Sequence, residues 1–177
     1  MIVVPTEYES VEQGLDRLTE DKILVIKCHV GEVCITPKDF VIRLQIWDTV
    51  DRLVIVSGTQ IEITEGRVRQ LIVEGHADCN TYVRLNKVNV CDNVCWNTSG
   101  ILALSDYSRP GSLPKVALNG ALRLQLITSE VSCPFVTVGS YSKSTLAVTS
   151  FGSFIHAPVS TEVCYTVNGE PSKLSRR

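Results

Sequence analysis

The chain is poor in aromatic residues, has one methionine and carries almost no charge imbalance. Phe, Trp and Tyr make up 6% of its 177 residues. No basic stripe interleaved with aromatics, of the kind that binds single-stranded nucleic acid by stacking, is present. Lys and Arg number 17 against 19 Asp and Glu, a net charge of −2, which argues against a nucleic-acid binder held by bulk charge. A spanning helix needs about 20 predominantly apolar residues. The longest uncharged run, Ser144 to Thr161, is broken by Gly152 and Pro158 and is rich in Ser and Thr. The opening Met1-Ile2-Val3-Val4-Pro5 lacks the basic region of a secretory signal. No G-x-S-x-G, P-loop or G-x-G-x-x-G is present. The expectation is a protein that is not an enzyme, with no cofactor and no small-molecule substrate. No internal repeat and no low-complexity tract is visible.

Hydrophobic residues at 44% and charged ones at 20% describe a folded chain. At this length a single domain hides about 70% of the surface of its extended chain. Seven cysteines, an odd count without repeated spacing, point to reduced thiols rather than a disulfide framework. Asn97-Thr98-Ser99 matches a glycosylation sequon and, without a secretory signal, is read as chance.

Charge is unevenly placed. Residues 1–21 hold Glu7, Glu9, Glu12, Asp16, Glu20 and Asp21 against Arg17 alone, a net of −5 that leaves +3 for the rest. This predicts an acidic N-terminal arm over 1–21 and a globular domain over 22–177. A surface helix over 8–20 is the alternative. Ile2, Val3, Val4 and Pro5 form an isolated apolar segment ahead of the acids, predicted to mediate self-association by docking on a neighbouring copy. The alternative for these residues is an edge strand on their own domain.

From Lys22 to Val30, apolar residues alternate as in a half-buried strand. Thr36, Pro37 and Asp39 then resemble a helix start, and Phe40, Leu44 and Trp47 fall at i, i+4 and i+7. They predict one main helix near 37–50. After it, short β-branched runs divided by Ser57-Gly58 and Glu65-Gly66 continue to Val167, with a long loop through Ser105 to Lys115. The fold class expected is α+β, a single compact domain with a mostly antiparallel sheet.

Two groups of residues are chemical candidates. His76, Cys79, Cys91 and Cys95 are all residue types that zinc accepts. They define an alternative reading, a cysteine-rich β domain binding zinc or RNA. Scattered core cysteines are the simpler account, because a free thiol packs as a small hydrophobe. Basic residues cluster weakly at Arg67 and Arg69, at Arg84 and Lys87, and at Lys173, Arg176 and Arg177. Arg67, Arg69, Arg84, Lys87, Arg176 and Arg177 are the candidates for contact with a nucleocapsid or anionic lipid.

Four segments within residues 22–130 resemble the matrix proteins of rhabdoviruses, with length and short leader most like the plant-infecting branch. They are KILVIKCHV followed by TPKDF and IWDTVDRLVIVSG, then EGHADC at Glu74 to Cys79, the Ser105 to Pro114 loop, and NGALRLQLITSE at Asn119 to Glu130. The match is patchy, covers about 60% of the chain and weakens after Glu130. The leader is acidic where members from animal viruses are Lys-rich, and no P-P-x-Y motif occurs. The resemblance implies a virion structural protein that self-associates into a homopolymer, condenses the viral nucleocapsid and links it to the envelope during assembly and budding. It also implies contact with the viral glycoprotein and the inner face of a host-derived membrane. Its setting would be the virion, the host cytoplasm and the periphery of host endomembranes.

Overall fold

The computed structural model describes residues 1–5, 7, 10–76, 80–105, 115–127, 135–140, 144–150, 154–157, 161–167 and 173–176, and from residue 126 on it describes backbone. The chain opens with β1 (Ile2–Val4) and a short helix, α1 (Val11–Asp16), followed by β2 (Leu24–Ile26) and β3 (Val30–Ile35). Strands then come in pairs. These are β4 (Ile42–Ile46) with β5 (Thr49–Val56), β6 (Gln60–Thr64) with β7 (Arg67–Glu74), and β8 (Thr81–Asn86) with β9 (Asn89–Asn97). Next are β10 (Ser99–Ser105) with β11 (Lys115–Leu118) and β12 (Ala121–Ile127) with β13 (Phe135–Ser140). The last are β14 (Ser144–Ser150) with β15 (Phe154–Ala157) and β16 (Thr161–Val167) with β17 (Lys173–Arg176).

Each pair is one turn of a β-solenoid. The even-numbered strands, led by β1, form a nine-stranded sheet in the order β1-β2-β4-β6-β8-β10-β12-β14-β16. The odd-numbered strands from β3 to β17 form the eight-stranded second sheet. Every pairing between neighbouring strands is parallel. At about 4.8 Å per strand the stack is about 38 Å long.

The sequence dictates this arrangement through vertical columns of like residues. In the first sheet Ile42 pairs with Ile61, Ile61 with Val83, Val83 with Leu102 and Leu102 with Leu124. In the second, Val33, Leu53, Leu71, Val94 and Val116 follow one another, as do Ile35, Ile55, Val73, Trp96 and Leu118. All belong to one buried cluster between the sheets. Burying each such side chain contributes about 1.5–3 kcal/mol. Outward positions between them, such as Arg43 and Gln45, are polar.

The second sheet bends partway along each early strand. Val50 and Leu53 both point inward although three residues apart, as do Val68 and Leu71. In β9 one more residue intervenes between the inward Val90 and Val94, and the pairing with β7 shifts register between Val68 and Gln70. The bend recurs as V-x-x-L-x-I at Val50 to Ile55 and V-x-x-L-x-V at Val68 to Val73.

The helix closes one end of the stack. Ser10 caps α1, its Oγ accepting the Gln13 N–H at 3.2 Å. Val11 and Leu15 face the core cluster. Gly14 sits directly on the first strands, where an added Cβ would lie 2.7 Å from Leu24 Cδ1 and 3.2 Å from Val4 Cγ2. The acidic residues Glu12, Asp16, Glu20 and Asp21 are exposed around this cap.

These facts overturn the expected α+β fold with a mostly antiparallel sheet, and the helix expected near 37–50. That stretch is the strand β4 and the start of β5. Ile42, Leu44 and Ile46 are buried at a period of two, with strands on both sides, while Trp47 is 55% exposed. The i, i+4, i+7 match of Phe40, Leu44 and Trp47 was a coincidence of one shared residue. Antiparallel order was inferred because alternating runs split by Gly turns are common to hairpins and solenoid turns alike. Period two identifies a strand without giving its partner's direction. The apparent lack of a repeat is also corrected. Paired residues are 20 apart from Leu24 to Leu44, 19 from Ile42 to Ile61 and 22 from Ile61 to Val83, so no fixed period marks the sequence. The loop expected over Ser105 to Lys115 lies mostly outside the described residues.

One glycine tests the architecture. Gly66 has φ +95°, and an added Cβ would lie 2.6 Å from Ile46 Cβ on the preceding turn. Gly66→Ala is expected to cost about 2–5 kcal/mol, from left-handed strain plus overpacking. A urea midpoint equal to that of the parent chain would show that the corner backbone is not so constrained.

Candidate functional site

Three two-residue corners join the first sheet to the second in successive turns. Trp47-Asp48 links β4 to β5, Glu65-Gly66 links β6 to β7, and Lys87-Val88 links β8 to β9. Backbone hydrogen bonds stack these corners. The N–H groups of Trp47, Arg67 and Asn89 donate to the carbonyls of Ile26 (2.9 Å), Asp48 (3.3 Å) and Gly66 (3.0 Å). Glu65 and Lys87 take left-handed backbone with φ 61° and 57°. At the first of these corners Trp47 projects outward and is exposed, while at the third Val88 turns into the core.

Three successive corners thus build a cleft of about 330 Å³ lined by Trp47, Asp48, Thr49, Gly66, Arg67 and Asn89. Lys27, from the preceding turn, places Nζ 4.6 Å from the centroid of the Trp47 ring, a cation–π contact. The other lining residues come from the Trp47 turn and the two turns beyond it, so Lys27 and the rest of the cleft flank the indole along the stack. Among the described residues, neither Asp48 nor Arg67 has an ion-pair partner.

Of the basic residues singled out from the sequence, Arg67 lines this cleft and Lys87 is exposed at the next corner. Arg69 instead meets Asp51, whose Oδ1 lies 3.4 Å from Arg69 Nε and 2.9 Å from His29 Nε2. Arg84 Nη1 lies 3.9 Å from Glu62 Oε1 on the outer face of the first sheet. Arg176 is in β17, at the far end of the second sheet, and Arg177 lies outside the described residues. Arg67, Arg69, Arg84 and Lys87 lie on different faces and corners, and Arg176 is on a strand at the far end of the stack.

The described members of the alternative zinc array, His76, Cys91 and Cys95, are not grouped to hold a metal. Cys91 and Cys95 lie four residues apart on the extended strand β9, about 13 Å along the chain. Ligands of one zinc are held about 2.3 Å from the metal. His76 is exposed beyond β7, its carbonyl accepting the hydroxyls of Ser57 (2.6 Å) and Thr98 (3.0 Å). Cys79 lies outside the described residues. Among the described residues no three His, Cys, Asp or Glu side chains are grouped to hold a metal.

The segment expected to dock on a neighbour is packed on its own domain. Ile2, Val3 and Val4 are buried and pair in register with Leu24, Val25 and Ile26, while Pro5 is exposed at the end of β1. The Ile2 N–H donates to Ile23 O (2.8 Å) and the Lys27 N–H to Val4 O (2.9 Å). The edge-strand alternative describes these residues. Behind them Val11–Asp16, within the acidic stretch, is the helix α1, which contacts β1, β2 and β3.

Sequence reasoning missed Trp47, Asp48, Thr49 and Asn89 as a group. The available signal was Trp47 itself, the residue at which the Ile42, Leu44, Ile46 alternation stops.

Removing residues 2–5 strips three buried side chains, worth about 1.5–3 kcal/mol each before ordering costs of about 1–2 kcal/mol per residue. The melting temperature is expected to fall by about 5–15 °C, on the size scaling for chains of this length. An unchanged value in calorimetry would show that β1 is not part of the core.

Comparison with protein-family models, with curated proteins and with solved structures finds no match to this chain.

Proposed function

We propose that this chain is a non-catalytic structural protein that assembles with copies of itself and joins them to an anionic partner. This is the role implied by the resemblance to rhabdovirus matrix proteins, whose partners are nucleocapsid and membrane. The α+β fold expected from the sequence pattern is not the fold of this chain, so the proposal rests on surface and topology.

The observation that carries it is the polarity of the stack. Parallel strands give the solenoid a direction, with different surfaces at its two ends. One end bears the capping helix and the exposed acids Glu7, Glu12, Asp16, Glu20 and Asp21. At the other, β16 and β17 are the outermost strands of their sheets, and β17 carries Lys173 and Arg176. Unlike ends that attract give a heterologous contact, which repeats without closing unless a rotation forms a ring. Such contacts are individually weak, and repetition makes a layer from them. Lys87, exposed on the side of the stack, remains free to meet an anionic partner while the ends are engaged.

Attraction between charged ends is screened by salt, with a Debye length of about 10 Å at 0.1 M and about 3 Å at 1 M. Light scattering is expected to show multimers near 50 mM salt that dissociate toward single chains near 0.5 M. Charge reversal of Glu12 and Asp16 together is expected to abolish the multimers without lowering the melting temperature. A mass independent of salt, or unaffected by that reversal, would overturn the proposal.

A further inference from the structure

We propose that the corner cleft at Trp47 is a binding site for a neutral saccharide, an inference that does not rest on the assembly reading. A sugar ring has two chemically distinct aspects. The axial C–H groups of a pyranose make a slightly positive apolar face, and the hydroxyls around its rim both donate and accept hydrogen bonds. The cleft supplies a complement to each.

Trp47 is the only aromatic residue in the cleft and is 55% exposed. A flat, outward indole offers its negative ring face to polarised C–H groups, for the same reason that it attracts a cation. Lys27 contacts that ring, and the indole stays more than half exposed beside the other lining residues. Around it, Asp48 offers two acceptor oxygens and Arg67 a fork of donors. Thr49 and Asn89 can each do both. Vicinal hydroxyls need this mixture of donors and acceptors within one small volume. Gly66 packs closely on Ile46 of the preceding turn, which fixes the corner backbone beside these side chains.

Other ligand classes fit less well. A phosphate would meet Arg67, but it would also face the Asp48 carboxylate, a like charge in the same cleft. A divalent cation would find one carboxylate, short of the several oxygen ligands it needs. A purely apolar ligand would find one apolar wall. At about 330 Å³ the cleft lies at the lower end of small-ligand sites, consistent with one or two sugar rings.

Binding in an open cleft of this size is weak, with a dissociation constant of about 1–10 mM. The test is titration of the intact chain, followed by backbone amide shifts, with a panel of neutral probes. The panel comprises the methyl glycosides of glucose, galactose, mannose and N-acetylglucosamine and a linear trisaccharide of each. Expected is a saturable response to at least one probe, centred on residues 47–49, 66–67 and 89 and unchanged by added salt. Trp96 is fully buried, so any accompanying change in tryptophan emission belongs to Trp47. Trp47→Ala is expected to abolish the response and Asn89→Ala to weaken it at least tenfold. Both sites lie outside the core, and unchanged melting temperatures confirm that the variants fold. No saturable shift with any probe up to about 50 mM would overturn the proposal. So would a response that survives Trp47→Ala, or one confined to inorganic phosphate and uridine monophosphate and removed by salt.

Discussion

Almost everything in this molecule hangs on one interaction, the parallel hydrogen-bond ladder by which each turn of chain lies on the turn before it. A strand in the middle of the stack has no local partner. Its neighbours in the sheet are 17 to 24 residues away, as Leu146 with Val163 and Leu122 with Leu146 illustrate. The ladder fixes register, and register puts isoleucine over isoleucine in the interior. Columns of matched aliphatic residues fill the space between sheets with few shape mismatches, and a shift of one residue would turn an entire column outward. Backbone pairing and side-chain packing therefore enforce the same alignment. The buried Trp96 is accommodated within this scheme, stacked between Val73 and Leu118.

The same constraint divides the surface into two kinds of position. On the flat faces, side chains of adjacent turns stand side by side, and opposite charges are paired in register. Glu32 lies opposite Arg52 and Glu62 opposite Arg84, at 3.2 and 3.9 Å. Exposed pairs such as these contribute about 0–1 kcal/mol. They do remove like-charge contacts between rungs, and they neutralise basic residues that would otherwise mark an anion-binding face. At the corners the backbone turns too sharply for regular pairing of side chains, and groups such as Trp47, Asp48 and Arg67 are left without an internal role. Recognition chemistry on a solenoid belongs at such places.

Individual strands were legible in the sequence; how they assemble was not. Leu53 to Val56, Gln60 to Thr64 and Arg67 to Glu74 lie in strands where β-branched runs placed them, and the alternating run from Ala121 to Thr128 contains β12. The run from Thr81 to Val90, expected as one strand, turns at Lys87-Val88 from β8 into β9. Ser57-Gly58 and Glu65-Gly66 are turns. The direction of pairing was hidden because it depends on which residues meet across 17 to 24 positions of sequence, and insertions at corners erase any regular spacing. The repeat was present in a form that fixed-period inspection overlooks, a short aliphatic triplet such as Ile42, Leu44, Ile46 followed by Val50, Leu53, Ile55. The helix near 37–50 failed because Thr36, Pro37 and Asp39 also suit a corner, where a rigid φ and a polar side chain are equally useful. The zinc array joined ligand types that β9 holds apart, since spacing along an extended strand is distance. The cleft was illegible because its residues come from three different turns.

A stack of parallel strands exposes a backbone edge at each end, and an open edge invites uncontrolled pairing. At the first end the chain meets this problem with its most acidic stretch. β1 occupies the edge of the first sheet in register with β2, and α1 lies across it, contacting β1, β2 and β3. Close seating requires Gly14, which brings helix backbone against Leu24 and Val4. The outer surface of this cap is then free to carry charge without touching the core. Thr19 donates its hydroxyl to Asp21 at 2.6 Å, and with the Asp21 backbone N–H this holds the Asp21 carboxyl below the usual aspartate range. A lowered pKa means that Asp21 stays ionised to more acidic pH than an unperturbed aspartate. Apolar residues at the inner face and carboxylates at the outer one let a single short segment both seal the hydrophobic stack and give that end its sign.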